Sequence, residues 1–288
     1  MPILDLPDLQ LAYHRMGAGP PLVFLHGWPE WSGIWRRNMP ALSERFEVAA
    51  PDLRNFGDSV GAPAADIDHY VADLEALVDH LGYDRFGLIS HDVGAFLAQE
   101  YARRHPQRLA GLFFFNCPHF GLGRRWVEGG QVREIWYQSF HQLPVALDLV
   151  GASRASCRAY FQHFLSHWAH DPSAFDNDIE EWVDMFLKPG RLAGGFHWYA
   201  VAAERRLKAM DDDSGERRSP ITVPAHSLWG ASDPVLRVAW QPTLRDLFAD
   251  IELSVAPEAG HFVAWEQPAL ANDRIARFFG SRFGDGPR

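Results

Sequence analysis

Residues 86 to 95 read Phe86-Gly87-Leu88-Ile89-Ser90-His91-Asp92-Val93-Gly94-Ala95. The run up to Ser90 is short and apolar, as in strands that are buried on both faces, and a helical periodicity begins at Gly94. A strand that turns this tightly into a helix needs small residues two positions before and two positions after its apex. Ser90 and Gly94 occupy those positions, so the stretch predicts a sharp strand-turn-helix junction with Asp92 at its apex.

Similar short apolar runs occur on both sides of this junction. The predicted strands are residues 22–25, 46–50, 86–90, 109–115, 225–229 and 251–255, and the predicted helices are residues 70–81, 94–104 and 269–279. Buried strands that alternate with helices are typical of a mostly parallel sheet covered on both faces. We therefore predict an α/β fold, built on a mostly parallel twisted sheet that helices flank.

The alternation of strands and helices is interrupted in the middle of the chain. Residues 123–213 are helical and aromatic in pattern, contain no convincing strand, and hold five of the eleven tryptophans. This stretch ends in the polar linker Asp211-Asp212-Asp213-Ser214-Gly215. We predict an α/β core formed by residues 1–122 and 216–288, with an all-helical insertion of residues 123–215 after the sixth strand.

Composition and charge exclude several classes of protein. The chain has 288 residues, of which 47% are hydrophobic and 22% charged, as in folded globular proteins, and its net charge is −10. A negative net charge gives no positive field for nucleic acid or an anionic membrane surface, and no run of about 18 apolar residues is present. We expect no nucleic-acid partner and no membrane partner, and the sequence leaves a homodimer possible.

The cysteines and the first ten residues bear on the cellular compartment. Cys117 and Cys157 have neither metal-binding nor redox-motif spacing, which favours a reducing compartment. Residues 1–10 carry Asp5 and Asp8 where a signal peptide has a basic segment. These features predict a cytoplasmic protein.

The residue at the apex of the junction restricts the chemistry. In the G-x-S-x-G version of this turn the apex is serine, whereas an aspartate supplies a carboxylate nucleophile. A carboxylate that attacks an ester carbonyl forms a reactive anhydride, but attack on an sp³ carbon that bears an epoxide oxygen or a halide forms a stable ester. Asp92 therefore favours epoxide or carbon–halide chemistry, and the simpler alternative is a helix N-cap.

Two further residues match the chain order nucleophile, acid, histidine. Asp233 lies in the loop after the strand 225–229, and His261 lies in a glycine turn after the strand 251–255. Like Asp92, they follow the carboxyl ends of strands, where sheets of this type form their sites. Each of them alone is more simply an isolated surface residue, but the three in this order predict a catalytic triad.

A loop after the first predicted strand contributes backbone donors. It reads Leu25-His26-Gly27-Trp28-Pro29-Glu30, and it can direct the N–H of Trp28, together with that of Val93, at one spot beside the carboxyl carbon of Asp92. We predict that these two N–H groups form an oxyanion hole. His26 and the charged residues of the loop 51–59 are expected to support the core.

With these motifs the chain resembles the α/β-hydrolase superfamily along its whole length, and within it the epoxide hydrolases and their carboxylate-nucleophile dehalogenase relatives. The resemblance rests on residues 26–30, 52–59 and 91–94 and on Asp233 and His261. It implies the α/β-hydrolase fold, a helical cap over the active site, and hydrolysis of an epoxide to a vicinal diol through an ester on Asp92. It also implies that neither a metal nor an organic cofactor is needed.

The resemblance assigns two cap tyrosines to the epoxide oxygen. Residues 136–142 resemble the stretch that carries one, here Tyr137, and residues 196–199 resemble the stretch that carries the other, Tyr199, with His197 in place of the usual asparagine. Two phenols would polarise the epoxide and stabilise the developing alkoxide, and the alternative is that both only pack. The residues expected to line an apolar substrate pocket are Trp136, His163, Trp198 and Phe262.

A haloalkane or haloacid dehalogenase that uses the same triad is the alternative function. Fluoroacetate dehalogenases carry arginines after the nucleophile that hold the substrate carboxylate, and those positions are Val93 and Phe96 here. Asn116 stands at a strand end where some relatives keep their acid. Because Asn116 cannot ionise, Asp233 is left as the acid.

Two hypotheses from other classes remain. His163, His167 and His170 are spaced so that a helix would present them on one face, as a zinc site requires, but no glutamate adjoins His163 as in H-E-x-x-H. A histidine-rich cap helix without metal is the simpler interpretation. The other hypothesis is a binding protein that keeps the fold without turnover, and the complete triad argues against it.

Overall fold

A computed structural model describes residues 1–211 and 219–283 of the chain. The predicted linker after Asp211 and the predicted boundary between residues 215 and 216 lie outside the described residues. The strands are β1 (Ile3–Leu6), β2 (Leu9–Met16), β3 (Pro21–Leu25), β4 (Glu47–Pro51), β5 (Val60–Gly61), β6 (Phe86–His91), β7 (Leu109–Phe115), β8 (Ala225–Gly230) and β9 (Ile251–Ala256).

Twelve α-helices are present in the described residues. They are α1 (Met39–Leu42), α2 (Ile67–His80), α3 (Asp92–Arg104), α4 (Gln131–Glu134), α5 (Trp136–Phe140), α6 (Val145–Gly151), α7 (Arg154–Trp168), α8 (Ile179–Phe186), α9 (Arg191–Val201), α10 (Ala203–Asp211), α11 (Val263–Glu266) and α12 (Pro268–Phe283). Short 3-10 helices span Ser32–Arg37, Pro106–Arg108, Phe120–Trp126 and Val238–Asp246.

The nine strands form one sheet in the order β1-β2-β4-β3-β6-β7-β8-β9, with β5 paired to β2. The six strands from β4 to β9 along this order pair in parallel, whereas β2 pairs antiparallel with β1, β4 and β5. The central strands β6 and β7 are buried along their whole length. The predicted α/β class and mostly parallel sheet are therefore confirmed.

All six predicted strands are present, and three further strands lie at the antiparallel edge. In β2, Leu9, Leu11 and Tyr13 pack into a small cluster with Leu77, while Gln10 between them is exposed. Such alternation of apolar and polar residues is typical of an antiparallel strand with one solvated face. A search for continuous apolar runs misses strands of this kind, and β5 is only two residues long.

Helices flank the sheet. α3 follows β6 and packs on β6 and β7, and α12 packs on β7, where the rings of Phe278 and Phe113 lie 5.8 Å apart. Within residues 1–211 and 219–283, no helix combines the length and the apolar character that crossing a bilayer would require.

The described chain between β7 and β8 contains helices and turns but no strand. Its part from Phe120 to Asp211 is called the helical insertion below. Seven strands precede it when the two-residue β5 is counted, and six without β5. The helical insertion packs on the loop after β3, where the indole of Trp28 stacks on the ring of Tyr137 at 5.1 Å and meets Phe164 edge-on. The space beneath it therefore lies at the carboxyl ends of the parallel strands.

Candidate active site

Asp92 lies at the junction of β6 and α3 with a φ of 45°, a backbone conformation that side chains rarely adopt. The junction is tight because α3 begins directly against the loop after β3. A Cβ on Gly94 would come within 2.4 Å of the carbonyl oxygen of His26, and Ser90 is fully buried. Backbone strain of this kind persists where the surrounding packing enforces it, and it is concentrated at functional sites.

The two carboxylate oxygens of Asp92 have different surroundings. Oδ1 accepts a hydrogen bond from the backbone N–H of Trp28 at 3.1 Å, and the N–H of Val93 also acts on the carboxylate. Oδ2 lies 3.9 Å from Nε2 of His261. The N–H of Trp28 thus holds Oδ1 as an oxyanion hole would, and Oδ2 is the oxygen that faces His261.

His261 is oriented by a fully hydrogen-bonded Asp233. Nδ1 of His261 lies 2.7 Å from Oδ2 of Asp233, and the side-chain amide of Asn116 donates to the same oxygen at 2.5 Å. Two backbone N–H groups of the following loop donate to Oδ1 of Asp233. Nε2 of His261 has no hydrogen-bond partner among the described residues. The structure thus brings Asp92, Asp233 and His261 together, with Nε2 of the imidazole facing the carboxylate of Asp92.

The charges of this site are strongly coupled. Burial opposes protonation of His261, but the charge and hydrogen bond of Asp233 and the charges of Asp92 and Glu30 outweigh it and raise the pKa of His261 to about 9. Burial raises the pKa of Asp92, and the nearby histidines and backbone donors act against that rise. His261 therefore favours the imidazolium form at neutral pH, and the negative charge of Asp92 is one of the groups that stabilise it.

A second buried pair of residues stands behind the triad. Nδ1 of His91 lies 2.9 Å from Oε1 of Glu30, and Glu30 also accepts the backbone N–H of Gly27 at 2.6 Å. The ring of His91 meets the ring of His261 edge-on at 4.5 Å. Glu30 thus fixes the loop that carries the Trp28 donor and adds negative charge near His261.

The two predicted tyrosines face each other above Asp92. Tyr137 in α5 and Tyr199 in α9 are both buried, and their rings lie 5.4 Å apart at 86°. Burial raises the pKa of both phenols, and the charge of Asp92 raises both further, while Arg206 acts in the opposite direction. The phenols are therefore protonated at neutral pH, and a side-chain hydrogen bond joins them.

A cavity that is open to solvent lies between the helical insertion and the sheet. Its lining is mostly apolar, with a few polar groups that include Asp92 and both tyrosines. The lining residues are Ile67, Asp92, Val93, Phe96, Pro118, His119, Phe120, Trp126, Tyr137, Gln138, Trp198, Tyr199, Ala202, Arg205, Arg206, Val235 and Leu236. This combination of an apolar wall and a few converging polar groups is typical of a small-molecule site.

Of the four predicted pocket residues, only Trp198 lines this cavity. Trp136 is 42% exposed and packs against His163 on the outer side of the helical insertion. Phe262 is buried behind His261, against Phe175. Contrary to the prediction, Trp136, His163 and Phe262 lie outside the lining of this cavity. For Trp136 the reason is that neighbouring residues on a helix point about 100° apart, and α5 turns Tyr137, not Trp136, inward.

The three histidines of the zinc hypothesis do not share one face. α7 ends at Trp168, and His170 beyond it bonds to the hydroxyl of Ser232 at 2.8 Å. Nε2 of His167 instead lies 2.7 Å from Glu134. In the described part of the chain no group of three His, Cys, Asp or Glu side chains is placed to hold a metal ion.

The remaining motif residues support the core, as expected. Nε2 of His26 accepts the backbone N–H of Leu53 at 2.9 Å, and Asp52 accepts the N–H groups of Ser32 and Asp58. These bonds fix the loops after β3 and β4 against each other.

Three features of the site are absent from the sequence prediction. The sequence excludes Asn116 as the acid because its side chain cannot ionise. In the structure its side-chain amide donates a hydrogen bond to Asp233. Glu30 and His91 are part of the quoted motifs, but they are 61 residues apart in the sequence. Their hydrogen bond becomes evident only once the fold is known. Arg206 lines the cavity, and no motif marks it.

Comparisons with known proteins agree with this architecture. A family model described as alpha/beta hydrolase fold matches residues 20–268. The soluble epoxide hydrolase of Corynebacterium sp. (strain C12) is 31% identical over 290 residues, which cover 94% of this chain and 93% of the relative. The solved structure of the epoxide hydrolase CorEH without ligand has a TM-score of 0.84 at 29% identity and covers 97% of this chain and 98% of its own.

A relative with the other predicted chemistry is also similar. The fluoroacetate dehalogenase of Burkholderia sp. is 26% identical over 279 residues, which cover 90% of this chain and 87% of the relative.

Proposed function

This chain belongs to the α/β-hydrolase family, as its sequence motifs predict, and we propose that within the family it is an epoxide hydrolase that forms an ester on Asp92. The observation that carries the proposal is the convergence of three groups on one apolar cavity: the carboxylate of Asp92 and the hydroxyls of Tyr137 and Tyr199. Similarity to the Corynebacterium epoxide hydrolase supports it.

In the first step Oδ2 of Asp92 attacks a ring carbon of the epoxide. The carbon–oxygen bond of the ring breaks, and its electron pair goes to the epoxide oxygen. One of the phenols, Tyr137 or Tyr199, gives that oxygen its proton while the other donates a hydrogen bond. The products are an ester on Asp92, a new substrate hydroxyl and one tyrosinate.

In the second step water attacks the ester carbonyl carbon. His261 takes one proton from the water, and the N–H groups of Trp28 and Val93 stabilise the negative charge on Oδ1. The bond between the carbonyl carbon and Oδ2 then breaks, and the diol leaves with Oδ2 and the proton from His261. The second water proton returns to the tyrosinate, so that one epoxide and one water give one diol.

The charge coupling of the resting site fits this sequence of steps. Asp92 is one of the charges that raise the pKa of His261 to about 9. Ester formation removes that charge, so the pKa of His261 falls just when a neutral imidazole is required as a base.

A dehalogenase that uses the same Asp92, Asp233 and His261 is the second candidate, favoured by the similarity to the Burkholderia fluoroacetate dehalogenase. A halide leaves as a weak base and gains little from a proton donor. An epoxide oxygen leaves as a strongly basic alkoxide, and two buried phenols beside Asp92 suit that leaving group better. A ligand-binding protein without turnover has no use for an unpartnered Nε2 on His261.

The experiment that tests the proposal is a single turnover of a terminal or internal epoxide in ¹⁸O water. We expect the label in the carboxylate of Asp92 and unlabelled oxygen in the first diol. His261→Gln should accumulate an adduct whose mass increase equals one substrate. Label wholly in the first diol, or turnover of haloalkanes or haloacids but not of epoxides, would overturn the assignment.

We also propose that the substrate is a small and largely apolar epoxide, because most of the cavity wall is apolar. A cytoplasmic location is part of the proposal, and the two buried free cysteines, Cys117 and Cys157, are compatible with a reducing compartment. A homodimer stays a prediction, which the mass of the protein in solution would check.

A further inference from the structure

One arginine of the helical insertion faces the cavity, and no described residue is a partner of its side chain. Arg206 in α10 lines the cavity together with Asp92, Tyr137 and Tyr199. Within residues 1–211 and 219–283 its side chain forms no ion pair and no hydrogen bond, and its Nε is buried. An arginine presents five N–H donors, so the guanidinium of Arg206 is an unused anion-binding group.

The preceding residue, Arg205, is an arginine whose charge is neutralised by an ion pair. The side chain of Arg205 also borders the cavity, but it is 42% exposed and lies 3.6 Å from the carboxylate of Glu100. Arg206 is held beside buried phenols instead, and burial lowers its pKa. A buried charge without a counter-charge is unfavourable, which is why such groups are usually paired or functional.

The other polar groups of the cavity do not neutralise Arg206. The carboxylate of Asp92 is held by the N–H of Trp28 and the charge of His261. Burial, together with the charge of Arg125, lowers the pKa of His119 to about 3, so His119 is neutral. The phenols are neutral as well, since burial raises the pKa of both. The cavity therefore contains one cation that the described protein leaves uncompensated.

We propose that Arg206 binds a carboxylate of the substrate, and that the natural substrates are epoxides joined to a carboxylate by an apolar chain. The inference rests on the proposed function, because it names the substrate class of the same site. A guanidinium holds a carboxylate through two parallel hydrogen bonds and thereby fixes its orientation. Most of the remaining cavity wall is apolar, so the part of the substrate between the epoxide and the carboxylate is apolar as well.

The test compares terminal epoxides that carry a carboxylate on short, medium and long methylene chains with their methyl esters. We expect wild type to prefer the acid at one chain length, measured as the ratio of kcat/KM for acid and ester. Arg206→Gln should lower that ratio by about 10- to 100-fold, the effect of losing a hydrogen-bonded charge pair, mostly through KM. Arg206→Lys keeps the charge without the planar fork and should retain part of the preference.

Arg158→Gln is the matched control, because it removes the same charge from an exposed, ion-paired side chain of the helical insertion that does not line the cavity. It should leave the acid-to-ester ratio unchanged. If Arg206→Gln slows acid and ester equally, Arg206 acts on the tyrosines instead of the substrate, and the inference is overturned. An equal loss of the ratio in both variants would indicate a general charge effect and would also overturn it.

A binding measurement separates this inference from the proposed function. The probes are phenylbutyrate and phenylbutanamide, which contain no epoxide, and binding is followed by tryptophan fluorescence. Wild type should bind the acid more tightly than the amide, and Arg206→Gln should lose that difference. Failure of every epoxide to react while the acid still binds through Arg206 would contradict the proposed function alone. Equal binding of acid and amide by wild type, with epoxides turned over, would contradict the inference alone.

Discussion

At the scale of single residues, the buried polar atoms of the site differ in whether they have a hydrogen-bond partner. The carboxylate of Asp233 accepts four hydrogen bonds from its surroundings, so its position is fixed. Nε2 of His261 and Nε of Arg206 have no partner among the described residues. Buried polar atoms are nearly always satisfied in native proteins, and the exceptions are the atoms that remain for water or a substrate.

The phenols of Tyr137 and Tyr199 should determine the rate of epoxide opening. Tyr199→Phe is expected to slow formation of the ester about 10²- to 10⁴-fold, the contribution of a positioned general acid, and Tyr137→Phe to give a comparable or smaller loss. Rapid quench with mass detection of the ester measures this step. Tyr160→Phe removes a phenol whose hydroxyl bonds to His141, away from the cavity lining, and serves as the control. A haloalkane rate that is insensitive to both changes, in an enzyme inert to epoxides, would favour the dehalogenase.

Hydrolysis of the ester should become faster as the pH rises. His261 must be neutral to accept a proton from water, and its pKa of about 9 in the free enzyme falls when Asp92 is esterified. The single-turnover rate of hydrolysis should therefore rise with pH and level off above an apparent pKa below 9. Asp233→Asn removes the charge that most favours the imidazolium, so it should shift the apparent pKa further down. A rate that declines over this range would mean that His261 does not act as the base.

The proposed catalytic residues differ in how far the sequence identifies them. Asp92, Asp233 and His261 stand in short motifs directly after strands, so their meeting follows from the parallel order of the sheet. The choice between Trp136 and Tyr137 as the cavity residue depends on the rotation of α5, which a short aromatic run does not specify. Arg206 depends on where α9 ends and α10 begins, and the sequence contains no signal for that break at residue 202.

At the scale of elements, the junction of β6 and α3 couples the fold to the chemistry. The helix can start directly at Asp92 only because Gly94 lets the backbone of the loop after β3 approach. The same loop carries the N–H of Trp28 that holds Oδ1. The spacing between these two elements therefore sets both the strain at Asp92 and the geometry of the oxyanion hole.

Gly94→Ala adds only one methyl group, but we expect it to disturb the site strongly. Its Cβ would lie 2.4 Å from the backbone carbonyl of His26, which cannot move without displacing Trp28. We expect a loss of about 1–3 kcal/mol in the free energy of unfolding, as for overpacking of a core, together with a lower rate of ester hydrolysis. Gly130→Ala is the control, since nothing lies within 4 Å of the added Cβ. Unchanged stability and rate in Gly94→Ala would show that the two elements can separate freely.

The central strands are predictable because each is an apolar run buried on both faces. The antiparallel edge is not, since its strands have one solvated face and β5 has two residues. β1 and β2 are positioned by contacts with residues that are distant in the sequence, such as Leu77 in α2.

At the scale of the whole molecule, a buried charge network joins the antiparallel edge to the parallel core. Arg54 is 3% exposed and donates to Asp73 of α2 at 2.7 Å and to Asp8 of the β1–β2 turn at 2.9 Å. The burial of this cation is offset by the two carboxylates, whose hydrogen bonds and charges raise its pKa. The network lies after β4, away from the residues that line the cavity.

Arg54→Met should therefore destabilise the fold without changing the chemistry. Removing one member of a buried ion pair costs about 3–5 kcal/mol, because Asp73 is left buried and unpaired. Denaturant unfolding measures the loss, and kcat at low temperature should be unchanged per folded molecule. Arg15→Met, which removes a 47% exposed arginine paired with Glu47, should cost less than about 1 kcal/mol. Equal effects of the two changes would show that burial adds nothing to the Arg54 network.

The hydrogen bond from the N–H of Trp28 to Oδ1 makes the two carboxylate oxygens of Asp92 unequal. In the proposed mechanism Oδ1 stays in place, while Oδ2 leaves with each diol and is replaced by an oxygen from water. After many turnovers in ¹⁸O water, the peptide that contains Asp92 should therefore carry one heavy oxygen, and two would mean that the carboxylate rotates between cycles. Each protein molecule that has completed a turnover would thus keep one of the carboxylate oxygens with which it was synthesised, and the other would come from the water of its last turnover.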